Sequence, residues 1–264
     1  EELLEAARLE LGPRSARAYA PTYAECFEPA VVAALEAREP AQALAALATE
    51  MVPGVFAIEL MREDFLRDLA AELEHLRESG VPLRRPNGMN RHGCVLSHLG
   101  FQAGFLDNTI GAVLKPLGLA LFPRALRAED VAELYGFSIL YDAENNGLYG
   151  GGDRDLAEHA DGAALTINLC LGHDFDGGDL LFRGVRFHQA DADVVPRRRV
   201  AHRPGVALVH LGQHLHAAAP LSRGRRENVV VWATGQYGYV RIAPYDDDDD
   251  APPPRPPPGD VSAP

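Results

Sequence analysis

From Tyr135 to about Trp232 the chain is cut into short apolar runs, at residues 137–141, 164–171, 179–182, 206–211 and 229–232, each bounded by Gly, Asp, Asn or Pro. Runs of this length are too short for amphipathic helices but suit strands, and several in succession with turn residues between them point to an all-β barrel or sandwich. The chain before Tyr135 reads differently. Residues 31–35 and 41–50 read as helices separated by Pro40. Residues 62–79 form the best helix, with Phe65, Leu66, Leu69, Leu73 and Leu76 at helical spacing and Gly80 as the stop. Residues 108–121 and 128–134 read as two more helices, and residues 51–60, with Val55, Phe56, Ala57 and Ile58, as a first strand. The expected class is therefore α+β, a helical layer supporting a β core.

Three segments follow. Residues 1–50 read as a helical extension, 51–245 as the main domain with its β core at about 135–240, and 246–264 (DDDDDAPPPRPPPGDVSAP) as a disordered acidic, proline-rich tail. The formal net charge of -13 argues against a phosphate-binding surface, so nucleic acid is not an expected partner. No run approaches the ~20 apolar residues of a membrane-spanning helix. Three cysteines without a CxxC pair fit a reducing compartment, so a soluble, cytoplasmic setting is favoured. The sequence starts at Glu1 rather than Met, so the lack of a visible leader carries no weight.

The chemistry gathers in two places. His159-Ala160-Asp161 puts two metal donors on one side of an extended segment. Fifty-seven residues on, His216 opens the stretch HAAAPLSRGRR and supplies a third donor, with His210 and His214 nearby and His214 as its rival. Two histidines and one carboxylate leave coordination positions open, as a non-haem Fe(II) oxygenase requires. Ten residues after His216, Arg226 begins a strand-like stretch in which Arg226, Asn228, Val230 and Trp232 share a face. A cation on the inner face of a barrel needs a partner, and a dicarboxylate such as 2-oxoglutarate supplies one through two parallel hydrogen bonds. Arg223 and Arg225 are the alternatives. His173, His188 and His202 read as exposed or structural, and Arg197-Arg198-Arg199 as a solvated loop that could also meet an acidic substrate.

The stretches HADGAALTINLCLG, DFDGGDLLF and GVALVHLGQHLHAAAPLSRGRRENVVVW, preceded by Tyr141, resemble the prolyl 4-hydroxylase-like group of 2-oxoglutarate/Fe(II) dioxygenases. Within it they are most similar to the 2-oxoglutarate and iron-dependent oxygenase domain-containing type, with the procollagen lysyl hydroxylase catalytic domain also similar. The upstream RPNGMNRHGCVLSHLGF resembles a segment preceding the barrel in the first type, so the likeness covers roughly residues 52–235. The resemblance implies a double-stranded β-helix (jelly roll). It implies iron(II) held by His159, Asp161 and His216, with 2-oxoglutarate anchored by Arg226 and Tyr141. Thr166 and Asn168 would line that pocket, and Gly177-Gly178 would open a tight turn. Cys170 stands where some relatives carry an aromatic that touches the cosubstrate. The implied activity is hydroxylation of a C–H bond using dioxygen, with ascorbate as a candidate reductant. A prolyl or lysyl residue in a peptide is the first expected substrate, and a small-molecule metabolite the alternative. Asp161 disfavours halogenation, and the intact donor set disfavours a non-catalytic binding module.

Overall fold

The computed structural model describes residues 10–81, 83–144, 152–172, 174–185 and 196–242. The tail, His173, His188 and parts of the loops around residues 142–156 and 187–203 fall outside them.

Two antiparallel sheets face each other. The larger has the order β1 (Thr49–Val52), β2 (Val55–Glu59), β10 (Val206–Leu211), β6 (Leu165–Gly172), β12 (Leu221–Thr234), β4 (Glu133–Asp142) and β3 (Gly93–Val95), with β7 (Phe175–Gly177) paired to the start of β12. The smaller has the order β5 (Leu156–His159), β11 (His214–Ala218), β8 (Leu180–Val185) and β9 (Arg198–Val200). Non-sequential neighbours across the middle of the larger sheet, β2-β10-β6-β12-β4, are what a jelly roll requires.

Strand alternation divides the larger sheet into two cores. Ile167 and Leu169 of β6, Ala207 and Val209 of β10, and Val229, Val231 and Ala233 of β12 pack outward with the helices. The helix Glu63–Glu78 brings Phe65, Leu66, Leu69, Leu73 and Leu76 to that layer, as its spacing predicts. The helix Gly111–Leu121 lies close enough to β6 that a Cβ on Gly118 would come within 2.2 Å of Leu165. The intervening residues of the same strands face the smaller sheet. There Phe137, Ile139, Tyr141, Leu208 and Val230 meet Leu180, Phe182, Val200 and Ala218.

Several boundaries differ from expectation. Residues 128–134 are not a helix: a 3-10 turn, Ala128–Val131, ends where β4 begins, because ten consecutive pairs with β12, from Asp142 down to Glu133, outweigh what one isolated turn can gain. Residues 108–121 divide into a π-helical stretch, Gln102–Ile110, and the helix Gly111–Leu121. The helix expected at 41–50 is Pro40–Leu47, since Thr49 and Glu50 pair with Ala57 and Phe56 in a hairpin turned at Pro53-Gly54. The single strand expected at 51–60 is thus two. Residues 229–232 lie within the much longer β12, and β3 lies in the stretch RPNGMNRHGCVLSHLGF, for which no strand was expected. Among the described residues no helix is long and apolar enough to cross a membrane.

Candidate metal and cosubstrate site

His159 ends β5 and His216 sits directly opposite it on β11. Register shifts flank His216 on both sides of its strand, and such bulges re-aim a side chain. Asp161 follows β5 and is held by its N–H donating to the Gly212 carbonyl at 2.7 Å. One donor atom from each of these three residues lies within 4.8 Å of the others, the one such group among the described residues.

The histidine tautomers follow from their partners. Nδ1 of His159 lies 2.8 Å from the Ala157 carbonyl, and Nδ1 of His216 lies 2.8 Å from the His214 carbonyl. A carbonyl only accepts, so each Nδ1 carries a proton, and a ring in its neutral form turns a bare Nε2 inward. Those atoms stand 3.4 and 3.7 Å from Asp161 Oδ1. The other carboxylate oxygen, Oδ2, accepts a 2.6 Å hydrogen bond from Thr166. Burial pushes the Asp161 pKa up, but the neighbouring His216, His159, His210 and Thr166 outweigh it and hold the carboxyl well below the usual range. Burial lowers His216, while at His159 the hydrogen bond and charge of Asp161 overcome burial and raise it.

The neighbouring histidines are not part of the three-donor group. His214 Nε2 meets the Pro53 carbonyl at 3.1 Å. His210, on β10, lies beside the group with its ring centre 4.7 Å from that of His216, and its Nδ1 meets the Leu211 carbonyl at 2.9 Å; burial, then His216, lowers it to about 3. His202 is buried rather than exposed, bonded to the Val206 carbonyl and lowered to about 3, chiefly by burial.

Arg226 is wholly buried and pairs with Tyr141 across β12 and β4. Its guanidinium carbon lies 4.7 Å from the Tyr141 ring centre. Nη1 donates to the Gly178 carbonyl, whereas Nε and Nη2 have no hydrogen-bond partner among the described residues. Gly178 has φ +71°, and a Cβ there would come within 2.7 Å of Arg226 Nη1. The Gly177-Gly178 turn is therefore a cradle that only glycine leaves open. The two alternative arginines are exposed or half-exposed and paired: Arg223 with Asp174 and Asp176, Arg225 with Glu74 and Asp142. Burial pushes the Tyr141 hydroxyl up to about 12, keeping it a neutral donor.

One cavity is lined by His159, Asp161, His216, Tyr141, Thr166 and Asn168, so the structure brings these expected residues together. Arg226 adjoins it behind Tyr141. Asn168 Oδ1 accepts from Asn228 Nδ2 at 2.8 Å, and Cys170 stands opposite Asn228. Asn87, Asn90, Phe137 and Trp232 also line the cavity, and the sequence had assigned none of them a role there. The signal for the asparagines was local: in Asn-Gly-Met-Asn the first side chain accepts from the N–H of Met89 and Asn90, a turn motif, and nothing in that motif states which cavity it will close.

Two jelly-roll sheets enclosing two histidines and one carboxylate, beside a buried arginine lacking an anion, define the non-haem iron oxygenase class of site. The fit to a metal and a dicarboxylate rests on the inward lone pairs and on the two unpartnered guanidinium N–H groups. Comparison with known proteins agrees. A family model described as the OGFOD2-like domain matches residues 10–127. The 2-oxoglutarate and iron-dependent oxygenase domain-containing protein 2 of Danio rerio is 35% identical over 184 residues, covering 70% of this chain and 50% of that protein. The domain-containing protein ICU11 of Arabidopsis thaliana is 32% identical over 190 residues, covering 69% and 46%. The chain spans about half the length of these curated relatives. The epimerase SnoN, solved in complex with Fe3+, alpha ketoglutarate and nogalamycin RO, shares the fold at TM-score 0.50 and 16% identity, covering 73% of this chain and 83% of that one. The chain belongs to the 2-oxoglutarate and iron-dependent oxygenase family.

Proposed function

We propose that this chain is an Fe(II)- and 2-oxoglutarate-dependent hydroxylase. His159, Asp161 and His216 hold the metal through two Nε2 atoms and one carboxylate. Arg226 receives the distal carboxylate of 2-oxoglutarate on Nε and Nη2, and the Tyr141 hydroxyl donates to the same group. When bound, iron and cosubstrate supply the oxidative chemistry: 2-oxoglutarate and dioxygen yield succinate and carbon dioxide as a substrate C–H bond becomes C–OH.

The chain's own part is orientation. The backbone carbonyls of Ala157 and His214 keep both imidazoles in the ligating tautomer. Thr166 occupies one oxygen of Asp161 and leaves Oδ1 to the metal. The aromatic and apolar walls, Phe137, Ile139, Leu180 and Val230, limit water around the reacting centre. The favoured substrate is a prolyl or lysyl side chain in a peptide, supported by the resemblance to the prolyl 4-hydroxylase-like group and to the lysyl hydroxylase domain.

The single observation that carries this reading is a buried cation with two unsatisfied donors beside a three-donor cluster. The test is succinate formation from 2-oxoglutarate with Fe(II) across a panel of proline- and lysine-containing peptides. Wild type should turn over while His216→Ala and Arg226→Ala do not. Equal turnover by all three would remove the assignment.

A further inference from the structure

The turn at residues 84–91, Arg-Arg-Pro-Asn-Gly-Met-Asn-Arg, has an inner and an outer side. Inward, Asn87 and Asn90 line the cavity beside the three-donor cluster. Outward, Arg84, Arg85, Arg91 and Met89 are exposed, Met89 at 44%. The stretch holds three arginines and no carboxylate, in a chain whose formal net charge is -13. Other exposed arginines of this fold meet carboxylates, as Arg223 does with Asp174 and Asp176 and Arg67 with Glu63. Here, among the described residues, none of the three guanidinium groups pairs with a carboxylate. Arg85 instead donates to the carbonyls of Asn87 and Gly88, at 2.8 and 2.5 Å.

The turn is also stiff. Asn87 Nδ2 donates to Asn90 Oδ1 at 3.0 Å, Asn90 Nδ2 to Asp153 Oδ2 at 3.3 Å, and the Tyr135 hydroxyl to the Pro86 carbonyl at 2.8 Å. Asp153 is engaged by Asn90 and by the N–H of Arg91. A fixed cationic rim at a cavity mouth attracts anionic partners at little ordering cost.

We propose that this turn is the substrate-recognition rim of the site and that it selects an acidic peptide segment, whose target residue enters past Asn87 and Asn90. The inference rests on the oxygenase reading for the identity of the cavity, but not for the binding itself. A peptide is favoured over a nucleic acid because the positive charge is confined to one turn, while the chain as a whole repels a continuous polyanion. Met89 offers the apolar contact that a peptide side chain can use.

The experiment is fluorescence anisotropy with the full chain, using a fluorescein-labelled Asp/Glu-rich peptide, a neutral Ser/Gly-rich peptide of equal length, and a single-stranded oligonucleotide. Arg84→Gln combined with Arg91→Gln is the test variant, since neither guanidinium makes a hydrogen bond among the described residues. Arg203→Gln, beside Glu59 in a separate surface groove, is the control. The acidic peptide should bind at least about tenfold more tightly than the neutral one, with that preference weakening as salt rises. The double variant should lose the preference, and the control should keep it. Equal binding of both peptides, or a double variant that binds like wild type, would overturn the proposal. Tighter, arginine-dependent binding of the oligonucleotide would overturn it in favour of nucleic acid. His216→Ala separates the two readings: it should lose succinate formation and keep the acidic preference.

Discussion

Arg226 and Glu227 are adjacent on β12 and both are wholly buried, yet their surroundings are opposite. Glu227 points to the outer face, where Arg77 of the helix Glu63–Glu78 reaches it with two hydrogen bonds of 2.5 and 2.9 Å. Arg226 points to the inner face and leaves two donors without partners among the described residues. The outer charge is completed within the chain. The inner one is not, and on the reading proposed above it is completed by the cosubstrate. The same strand thus serves a self-sufficient layer on one side and an incomplete one on the other. A buried cation left incomplete in this way is costly unless an anion comes to it.

This contrast can be broken by substitution. Glu227→Ala should cost most, about 3–5 kcal/mol of folding stability in urea titration, because it strands Arg77 without its buried counter-charge. A loss below ~1 kcal/mol would mean the outer pair is not what joins helix and sheet. Gly178→Ala should cost about 1–3 kcal/mol from its positive φ alone, and it should also weaken 2-oxoglutarate binding by crowding Arg226 Nη1. Unaltered affinity would detach the glycine turn from the cosubstrate. Thr166→Val should lower affinity for Mn(II), used in place of iron, by about tenfold with little change in the melting temperature. Unchanged metal binding would make the Thr166–Asp161 hydrogen bond incidental. Arg226→Met should have the smallest effect on folding. In the ligand-free chain its stability should match wild type within about 0.5 kcal/mol or exceed it, since an unpaired buried cation is removed. A loss as large as that of Glu227→Ala would show that the two neighbours are equivalent after all.

The inner face was more legible in the sequence than its surroundings. His159, Asp161, His216 and Arg226 carry chemistry that only a few arrangements can use, and strand alternation is enough to turn Arg226 and Trp232 to one side. The cross-strand pairing of His159 with His216, by contrast, depends on two strands 57 residues apart meeting in one register, which no local pattern encodes. Asn87 and Asn90 form a turn that is readable, over a cavity that is not. Residues 128–134 looked helical because their apolar spacing is ambiguous over so short a length, and only the long ladder with β12 decides the matter. Glu227 reads as another surface charge until Arg77, 150 residues earlier, is seen to cover it.

The account stands most directly on the unfilled side of Arg226. Isothermal titration of 2-oxoglutarate into the Mn(II)-loaded chain, under anaerobic conditions, compares wild type with Arg226→Met. Wild type should bind, and the variant should bind at least about a hundredfold more weakly, a difference of ~2.7 kcal/mol. Equal affinity in the two proteins would show that the buried guanidinium does not receive the dicarboxylate, and the proposed site would have to be given up.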